Sequence, residues 1–151
     1  MAYVVVYCRQ LGARGVGDLI KTGESAETYL ETILILSKAK SRVRSIDIAN
    51  ELEYSKPSVS VAMKNLREGG HITVDVDGHI ALTESGREIA ESMYERHRVI
   101  SDFLISLGVE EKAAITDACR IEHVISEHSF TKLSEHFKQL KQSSAITGNK
   151  L

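Results

Sequence analysis

A cysteine, a glutamate and a histidine stand close together in the motif Cys119-x-x-Glu122-His123. On a helix, residues three and four positions apart project from the same face, so the thiol, carboxylate and imidazole would lie side by side. All three side-chain types are metal ligands. The motif therefore predicts one side of a metal site, with the remaining ligands supplied by other elements.

Two other side chains are candidates for the rest of this site. His97 falls on the apolar face of a long predicted helix, and Glu31 lies on the first predicted helix, where Thr28 shares its face. Singly, such residues are more often a hydrogen-bonded core histidine and an exposed carboxylate. Ligands from three helices would join the two halves of the chain through one ion, which predicts a metal-dependent switch.

Three helices are predicted in the first half of the chain. Residues 27–38 form the first, with Leu30, Ile33 and Leu34 in the core. Ser45 is a predicted N-cap of the second, and Ser55 of the third, which carries Pro57 in its first turn. The residues predicted to face inward on the second helix are Ile46, Ala49 and Leu52.

The third helix separates into a buried and an exposed face. The predicted buried stripe, at helical spacing, is Val59, Ala62, Met63 and Leu66. The residues predicted to face outward are Ser58, Val61, Lys64 and Asn65.

A hairpin follows this helix. Apolar and polar residues alternate on both sides of Asp77-Gly78, which predicts two strands joined by a two-residue turn. Three helices and a hairpin in this order are typical of a winged helix-turn-helix. Residues 38–67 hold seven basic and three acidic side chains, whereas the whole chain has a net charge of −2. The local basic excess independently favours DNA binding.

The rest of the chain is predicted to be helical. A long helix after Thr83 breaks at Gly108, and two shorter helices are expected at residues 119–127 and 130–140. We therefore predict a mostly α protein in which a winged helix-turn-helix precedes an all-helical metal-binding and dimerisation domain. The predicted divisions are 1–22, an extension of unknown role; 23–83, the DNA-binding domain; 84–142, the helical domain; and 143–151, a flexible tail.

Composition excludes several protein classes. Hydrophobic residues make up 42% and charged residues 26%, with a single proline, which is typical of a globular helical protein. The longest apolar runs are too short to span a membrane, and the first residues lack the features of a signal peptide. Because Cys8 and Cys119 are the only two cysteines, and neither has an evident partner, we expect no disulfide and a cytoplasmic location.

Five stretches of the sequence stand out together: residues 26–31 (AETYLE), 55–60 (SKPSVS), 82–86 (LTESG), 96–98 (RHR) and 117–124 (DACRIEHV). They resemble the diphtheria-toxin-repressor and manganese-transport-regulator family of metal-activated winged-helix repressors. The resemblance covers about residues 24–140, and its most specific part is the cysteine motif.

The resemblance implies a ligand set for the metal. Glu31 and His97 are similar to the manganese branch, whereas Cys119 is the residue of the iron branch, and Thr28 departs from both. A thiolate favours iron over manganese, but the other donors suit either ion, so Fe²⁺ and Mn²⁺ both stay open, with zinc, cobalt or nickel binding in vitro. The implied ligands are Thr28, Glu31, His97, Cys119, Glu122 and His123.

The third helix would read a double-stranded DNA operator, while basic residues before the second helix would contact phosphates. A helix-turn-helix reader usually binds as a dimer to half-sites about one helical turn apart, which predicts a homodimer on a palindromic operator. No membrane and no small organic substrate are expected. The predicted DNA-binding residues are Lys38, Lys40, Arg42, Arg44, Lys56, Pro57, Ser58, Ser60, Val61 and Lys64.

These observations predict a transcriptional regulator that represses metal-uptake genes with Fe²⁺ or Mn²⁺ as corepressor, and not an enzyme. One alternative is a winged-helix transcription factor with a structural zinc or a non-metal effector. The DNA affinity of such a protein would not depend on iron or manganese. Another is a zinc hydrolase, since a Cys-Glu-His site with an open position can activate water. That class needs a general base, and no residue for this role is evident in the sequence.

Overall fold

The computed structural model describes residues 23–147, and their side chains from 26 to 143. The predicted extension 1–22, with Cys8, lies outside the described residues. Within them the elements are α1 (Gly23–Ala39), α2 (Ser45–Leu52), α3 (Lys56–Glu68), β1 (Ile72–Val74), β2 (Ile80–Leu82), α4 (Glu84–Ser106), α5 (Glu111–Val124) and α6 (Glu127–Thr147). None of these helices is long and apolar enough to cross a membrane.

The described residues divide into two compact units between residues 95 and 96, inside α4. The prediction that the first domain ends at residue 83 stays a prediction. The order of elements is that of a winged helix-turn-helix followed by helices, as the sequence predicted.

One hydrophobic core joins α1, α2, α3 and the hairpin in the N-terminal unit. The predicted inner face of α1 is confirmed, because Leu30, Ile33 and Leu34 are fully buried. Burial of these side chains stabilises the unit by about 1.5–3 kcal/mol each. Further members of the same core are Ile48, Val59, Met63, Leu66, Ile72 and Ile80.

Helix α2 begins differently from the prediction. Ser45 is its first helical residue, and Arg44 occupies the N-cap position. The reason is Asp47, whose carboxylate accepts a hydrogen bond from the Arg44 backbone N–H at 2.9 Å and one from Lys40 Nζ at 2.7 Å. The hydrogen bond from Lys40 is the main cause that lowers the pKa of Asp47.

The predicted inner face of α2 is also partly wrong. Ile46 is 39% exposed, whereas Ile48, Ala49 and Leu52 are buried. The inward position predicted for Ala49 and Leu52 is therefore confirmed. Ile48 lies in the core instead of Ile46.

Helix α3 matches the sequence prediction closely. The Ser55 hydroxyl accepts from the Ser58 backbone N–H at 3.3 Å, and Pro57 lies in the first turn. Of the predicted inner stripe, Val59, Met63 and Leu66 are buried and Ala62 is half-buried. The four residues predicted to face outward are all exposed.

The hairpin is confirmed, but its turn is longer than two residues. Its register pairs Ile72 with Leu82 and Val74 with Ile80, so residues 75–79 form a five-residue loop. The Asp75 carboxylate accepts from the backbone N–H groups of Asp77 and His79 at 2.9 and 2.8 Å, which closes this loop. These bonds, above all the one from His79, lower the pKa of Asp75.

The hairpin is fastened to the start of α4 by Thr83. Its hydroxyl donates to the Gly70 carbonyl at 2.7 Å and accepts from the Gly86 backbone N–H at 3.2 Å. Its own N–H donates to the His71 carbonyl at 3.0 Å. Thr83 therefore acts as the N-terminal cap of α4 and joins it to the chain just before β1.

In the C-terminal unit the long helix ends as predicted, since Ser106 is its last residue and Gly108 adopts a left-handed conformation with φ 91°. The next two helices are both longer than predicted. Helix α5 begins at Glu111 and not at Cys119, because the Glu110 carboxylate caps it by accepting from the Ala113 N–H at 3.1 Å. Helix α6 runs to Thr147, so residues 143–147 are helical, whereas the flexibility predicted for residues 143–151 stays a prediction.

Candidate metal centre and nucleic-acid interface

Three of the predicted ligands come together in the C-terminal unit. His97 comes from α4, and Cys119 and Glu122 come from α5. One ligand atom from each lies within 4.8 Å of the others. His97 Nδ1 is 2.8 Å from Glu122 Oε2 and 3.6 Å from Cys119 Sγ. The prediction that these residues form one cluster is supported by this geometry, although their role as ligands stays a prediction.

The cluster is buried almost completely. The exposed fractions are 2% for His97, 5% for Cys119 and 0% for Glu122. Burying an ionised carboxylate costs several kcal/mol unless an opposite charge or hydrogen-bond donors accompany it. A bound cation would provide that charge, so the burial of Glu122 beside a thiol and an imidazole fits a metal centre.

His123 lies at the edge of the cluster. Its Nε2 atom is 3.5 Å from Glu122 Oε1, and its side chain is largely buried. The spacing Cys119-x-x-Glu122-His123 therefore places all three residues near one another at the C-terminal end of α5, as a helical arrangement requires.

The donor set is compatible with several divalent transition metals. An imidazole, a thiolate and a carboxylate suit iron, cobalt, nickel and zinc, whereas manganese prefers oxygen donors with some imidazole. The cluster thus fits the ions that the sequence predicted, and Cys119 favours iron among the two expected in the cell.

Glu31 and Thr28 belong to the N-terminal unit. Glu31 is buried, with 4% exposure, and Thr28 is half-buried on the same helix. The Thr28 carbonyl accepts a hydrogen bond from the Thr32 hydroxyl at 2.7 Å. Their assignment as ligands of the same ion stays a prediction.

Arg96 is a residue whose role the sequence did not reveal. Its guanidinium donates to the backbone carbonyls of Glu122 and Ile125 at 3.4 and 3.1 Å, and pairs with the carboxylate of Glu127. It also lies over the Phe130 ring, 5.3 Å from its centroid. The signals in the sequence were its position immediately before His97 and its place in the stretch 96–98 that carries the family resemblance.

The outer face of α3 is free of core contacts. Val61 is 60% exposed, and Lys64 makes a long ion pair with Glu68 at 3.9 Å. An exposed apolar side chain between polar ones suits contact with a thymine methyl group in the major groove. The other predicted DNA-binding residues on this helix, Lys56, Pro57, Ser58 and Ser60, are also exposed.

The four basic residues before α2 are exposed as well, and three of them have neighbours. Lys40 pairs with Asp47, Arg44 Nη2 is 3.3 Å from His79 Nε2, and Lys38 Nζ lies 4.6 Å from the centroid of the Tyr94 ring. These contacts hold the side chains in place without burying them. Their role as phosphate contacts, and that of Arg42, stays a prediction.

A second group of possible ligands occurs in the hairpin loop: Asp75, Asp77 and His79. The two ring nitrogens of His79 already face Asp75, at 3.1 Å, and Arg44, at 3.3 Å. A guanidinium next to the histidine opposes cation binding, so we interpret this group as part of the loop structure.

Comparison with known families covers nearly the whole described chain. Residues 21–80 match the family described as the iron dependent repressor, N-terminal DNA binding domain. Residues 83–146 match the iron dependent repressor, metal binding and dimerisation domain. The cluster of His97, Cys119 and Glu122 falls inside the second match, and α3 falls inside the first.

Individual relatives agree with this result. An uncharacterized HTH-type transcriptional regulator of Methanocaldococcus jannaschii is 31% identical over 120 residues, which cover 78% of this chain and 96% of the relative. The transcriptional regulator MntR of Escherichia coli is 33% identical over 106 residues, covering 70% of this chain and 68% of MntR.

Among solved structures, the manganese regulator SloR superimposes with a TM-score of 0.67 at 28% identity, covering 75% of this chain. The matched region is 53% of the SloR chain, so this protein spans about half the length of that relative. The chain therefore belongs to the iron-dependent repressor family of metal-dependent, DNA-binding transcriptional regulators.

Proposed function

We propose that this protein represses metal-uptake genes and that Fe²⁺ or Mn²⁺ is its corepressor. The observation that carries the proposal is the buried cluster of His97, Cys119 and Glu122 in a chain that also has an exposed DNA-reading helix. A regulator of metal uptake needs both a reversible metal site and a DNA-binding surface, and each compact unit of this chain supplies one of them.

His97, Cys119, Glu122 and His123 would hold the ion from α4 and α5. The cation would balance the charges of the Cys119 thiolate and the Glu122 carboxylate in their buried surroundings. Glu31 and Thr28 remain the predicted additional ligands. Zinc, cobalt and nickel are expected to bind the same donors in vitro, because affinity alone does not decide which ion is used in the cell.

The outer face of α3 would read the operator. Ser58 and Ser60 can hydrogen-bond to bases or phosphates, and Lys64 can reach phosphate or guanine. We expect a homodimer in the cytoplasm on a palindromic double-stranded operator, because the family's second domain is one of dimerisation and helix-turn-helix proteins pair their half-sites. No role for a membrane or a small organic substrate is proposed.

The decisive experiment measures DNA affinity as a function of metal. Metal-free protein is titrated with Mn²⁺, Zn²⁺ and, without oxygen, Fe²⁺, against DNA from upstream of metal-transporter genes, with Cys119→Ala in parallel. We expect Fe²⁺ or Mn²⁺ to tighten binding at least tenfold, a coupling of about 1.4 kcal/mol. Cys119→Ala should lose most of this response.

A structural zinc is the second candidate, since thiolate and imidazole are preferred zinc ligands and the cluster holds one of each. In that case DNA affinity would be the same with every metal tested, while removal of zinc would unfold the C-terminal unit. Equal DNA affinity with and without iron or manganese would therefore contradict the proposal that one of these ions is the corepressor.

Lys64→Ala is expected to weaken operator binding and to flatten its dependence on salt. Each lost phosphate contact lowers the slope of log affinity against log salt by about one. Arg87→Ala is the matched control, because Arg87 is exposed in α4 and pairs with Glu91 at 3.8 Å much as Lys64 pairs with Glu68. An equal effect of both changes would mean that α3 is not the reading helix.

A further inference from the structure

We propose that Arg96 is a positioning residue for the metal centre. In this interpretation it holds the turn between α5 and α6 so that Glu122 stays in contact with His97. The inference rests on the proposed metal response, and the experiment below separates the two.

The turn that Arg96 holds is a place where backbone groups need partners. The last four carbonyls of a helix have no donors within that helix. Helix α5 ends at Val124, and Ile125 follows in an extended conformation. One Arg96 nitrogen, Nη1, donates to the carbonyls of Glu122 and Ile125 at 3.4 and 3.1 Å, which satisfies acceptors on both sides of that end.

The other side of the guanidinium fixes the start of α6. Nη2 pairs with the carboxylate of Glu127, the first residue of α6, and the planar group lies over Phe130. The Arg96 side chain is only 13% exposed, so these interactions are shielded from solvent on most sides. A lysine could not make them together, because it lacks the planar fork of donors.

These contacts act directly on the metal cluster. Glu122 is linked to α4 twice, through its backbone carbonyl to Arg96 and through its carboxylate to the neighbouring His97. A shift of the α5 end would therefore move the Glu122 carboxylate away from the His97 ring. Residues that orient ligands in this way typically change metal affinity 10–100-fold when they are replaced.

The test uses Co²⁺ as a probe, because its absorption bands report coordination geometry independently of DNA binding. Metal-free wild type, Arg96→Lys and the control Arg120→Lys are titrated with Co²⁺. Arg120 is exposed and stands next to Cys119 as Arg96 stands next to His97, and it is the same residue type. We expect Arg96→Lys to bind Co²⁺ at least tenfold more weakly with altered bands, and Arg120→Lys to match wild type.

A purely structural role would lower the thermal stability of the metal-free protein but leave Co²⁺ affinity and spectrum unchanged, and this result would overturn the proposal. If wild type itself shows no spectrum of bound Co²⁺, the proposed metal centre is wrong, and the positioning role of Arg96 is wrong as well. Should Arg96→Lys fail to fold, Phe130→Leu removes only the ring beneath the guanidinium. It is expected to weaken Co²⁺ binding in the same direction by a smaller factor, and unchanged binding would contradict the role of Arg96.

Discussion

Replacing Glu122 with glutamine is expected to abolish most of the metal response while leaving the metal-free protein at least as stable as wild type. Glutamine keeps the size of the side chain and an oxygen that can accept a hydrogen bond from His97. It removes the negative charge, which is the property that a divalent cation requires. The change is therefore expected to lower stability relative to wild type only when metal is present.

The sign of the stability change in the metal-free protein follows from the burial of Glu122. Glu122 has no exposed surface, and an ionised carboxylate in such a position is costly even with His97 Nδ1 at 2.8 Å, because one close partner replaces its hydration only in part. Neutral glutamine avoids this cost, so we expect the melting temperature of the metal-free variant to stay the same or to rise. A buried charge retained at a cost in stability is consistent with a functional role, as it is at other binding sites.

The sign of the stability change in the presence of metal follows from mass action. An ion at 100 times its dissociation constant stabilises the folded state by about 2.7 kcal/mol, which for a domain of this size raises the melting temperature by roughly 5–10 °C. A hundredfold loss of affinity in Glu122→Gln would remove nearly all of this increase. Differential scanning calorimetry with and without Mn²⁺ measures both effects.

Glu111→Gln provides the matched control, because Glu111 lies exposed in the first turn of the same helix. It should keep the full metal-induced increase in melting temperature. A wild-type response in Glu122→Gln would show that the metal does not bind at this cluster.

The helix-turn-helix could be predicted from the sequence because its determinants are local. Ser55 and Pro57 mark the start of α3, and the spacing of its apolar residues separates the two faces correctly. Such features depend on residues within one or two turns of each other, so no knowledge of tertiary contacts is needed.

The errors arise where an unusual residue performs a common role. Helix α5 begins eight residues before its predicted start because a glutamate, Glu110, caps it in place of the preferred serine, threonine, aspartate or asparagine. Ser45 was taken as a cap on residue type alone, but Asp47 accepts the Arg44 N–H, so Arg44 is the N-cap and α2 begins one residue earlier than predicted. In the hairpin, Asp77-Gly78 suggested a tight turn, whereas Asp75 closes a longer loop.

The candidate site was predictable in part for the same reason. Cys119, Glu122 and His123 follow one another on one helix, so their spacing alone brings them together. The contact between His97 and Glu122 joins residues 25 positions apart, and periodicity placed His97 only on an apolar face. Arg96 was missed because its partners include backbone carbonyls, which leave no trace in the sequence.

Gly86→Ala is expected to destabilise the N-terminal unit strongly. Helix propensity alone would favour alanine by up to about 1 kcal/mol. A Cβ atom at residue 86, however, would lie 2.0 Å from the carbonyl oxygen of His71 and 2.9 Å from its carbonyl carbon. That carbonyl cannot move easily, because it accepts the Thr83 N–H, and the His71 N–H donates to Leu66 at 2.9 Å. Steric overlap should therefore dominate, at a cost of about 3 kcal/mol.

Thermal unfolding of the metal-free protein measures this cost, with Gly70→Ala as the control. Gly70 has φ +78° but no atom within 4 Å of a Cβ, so alanine there suffers only the left-handed conformation, about 1–2 kcal/mol. A smaller loss at residue 86 than at residue 70 would contradict the close contact. Because Gly86 and His71 both lie in the N-terminal unit, which also carries α3, Gly86→Ala should weaken operator binding as well. Glu122→Gln should instead weaken Co²⁺ binding and abolish the metal-dependent gain in operator affinity, while operator binding by the metal-free protein stays as in wild type.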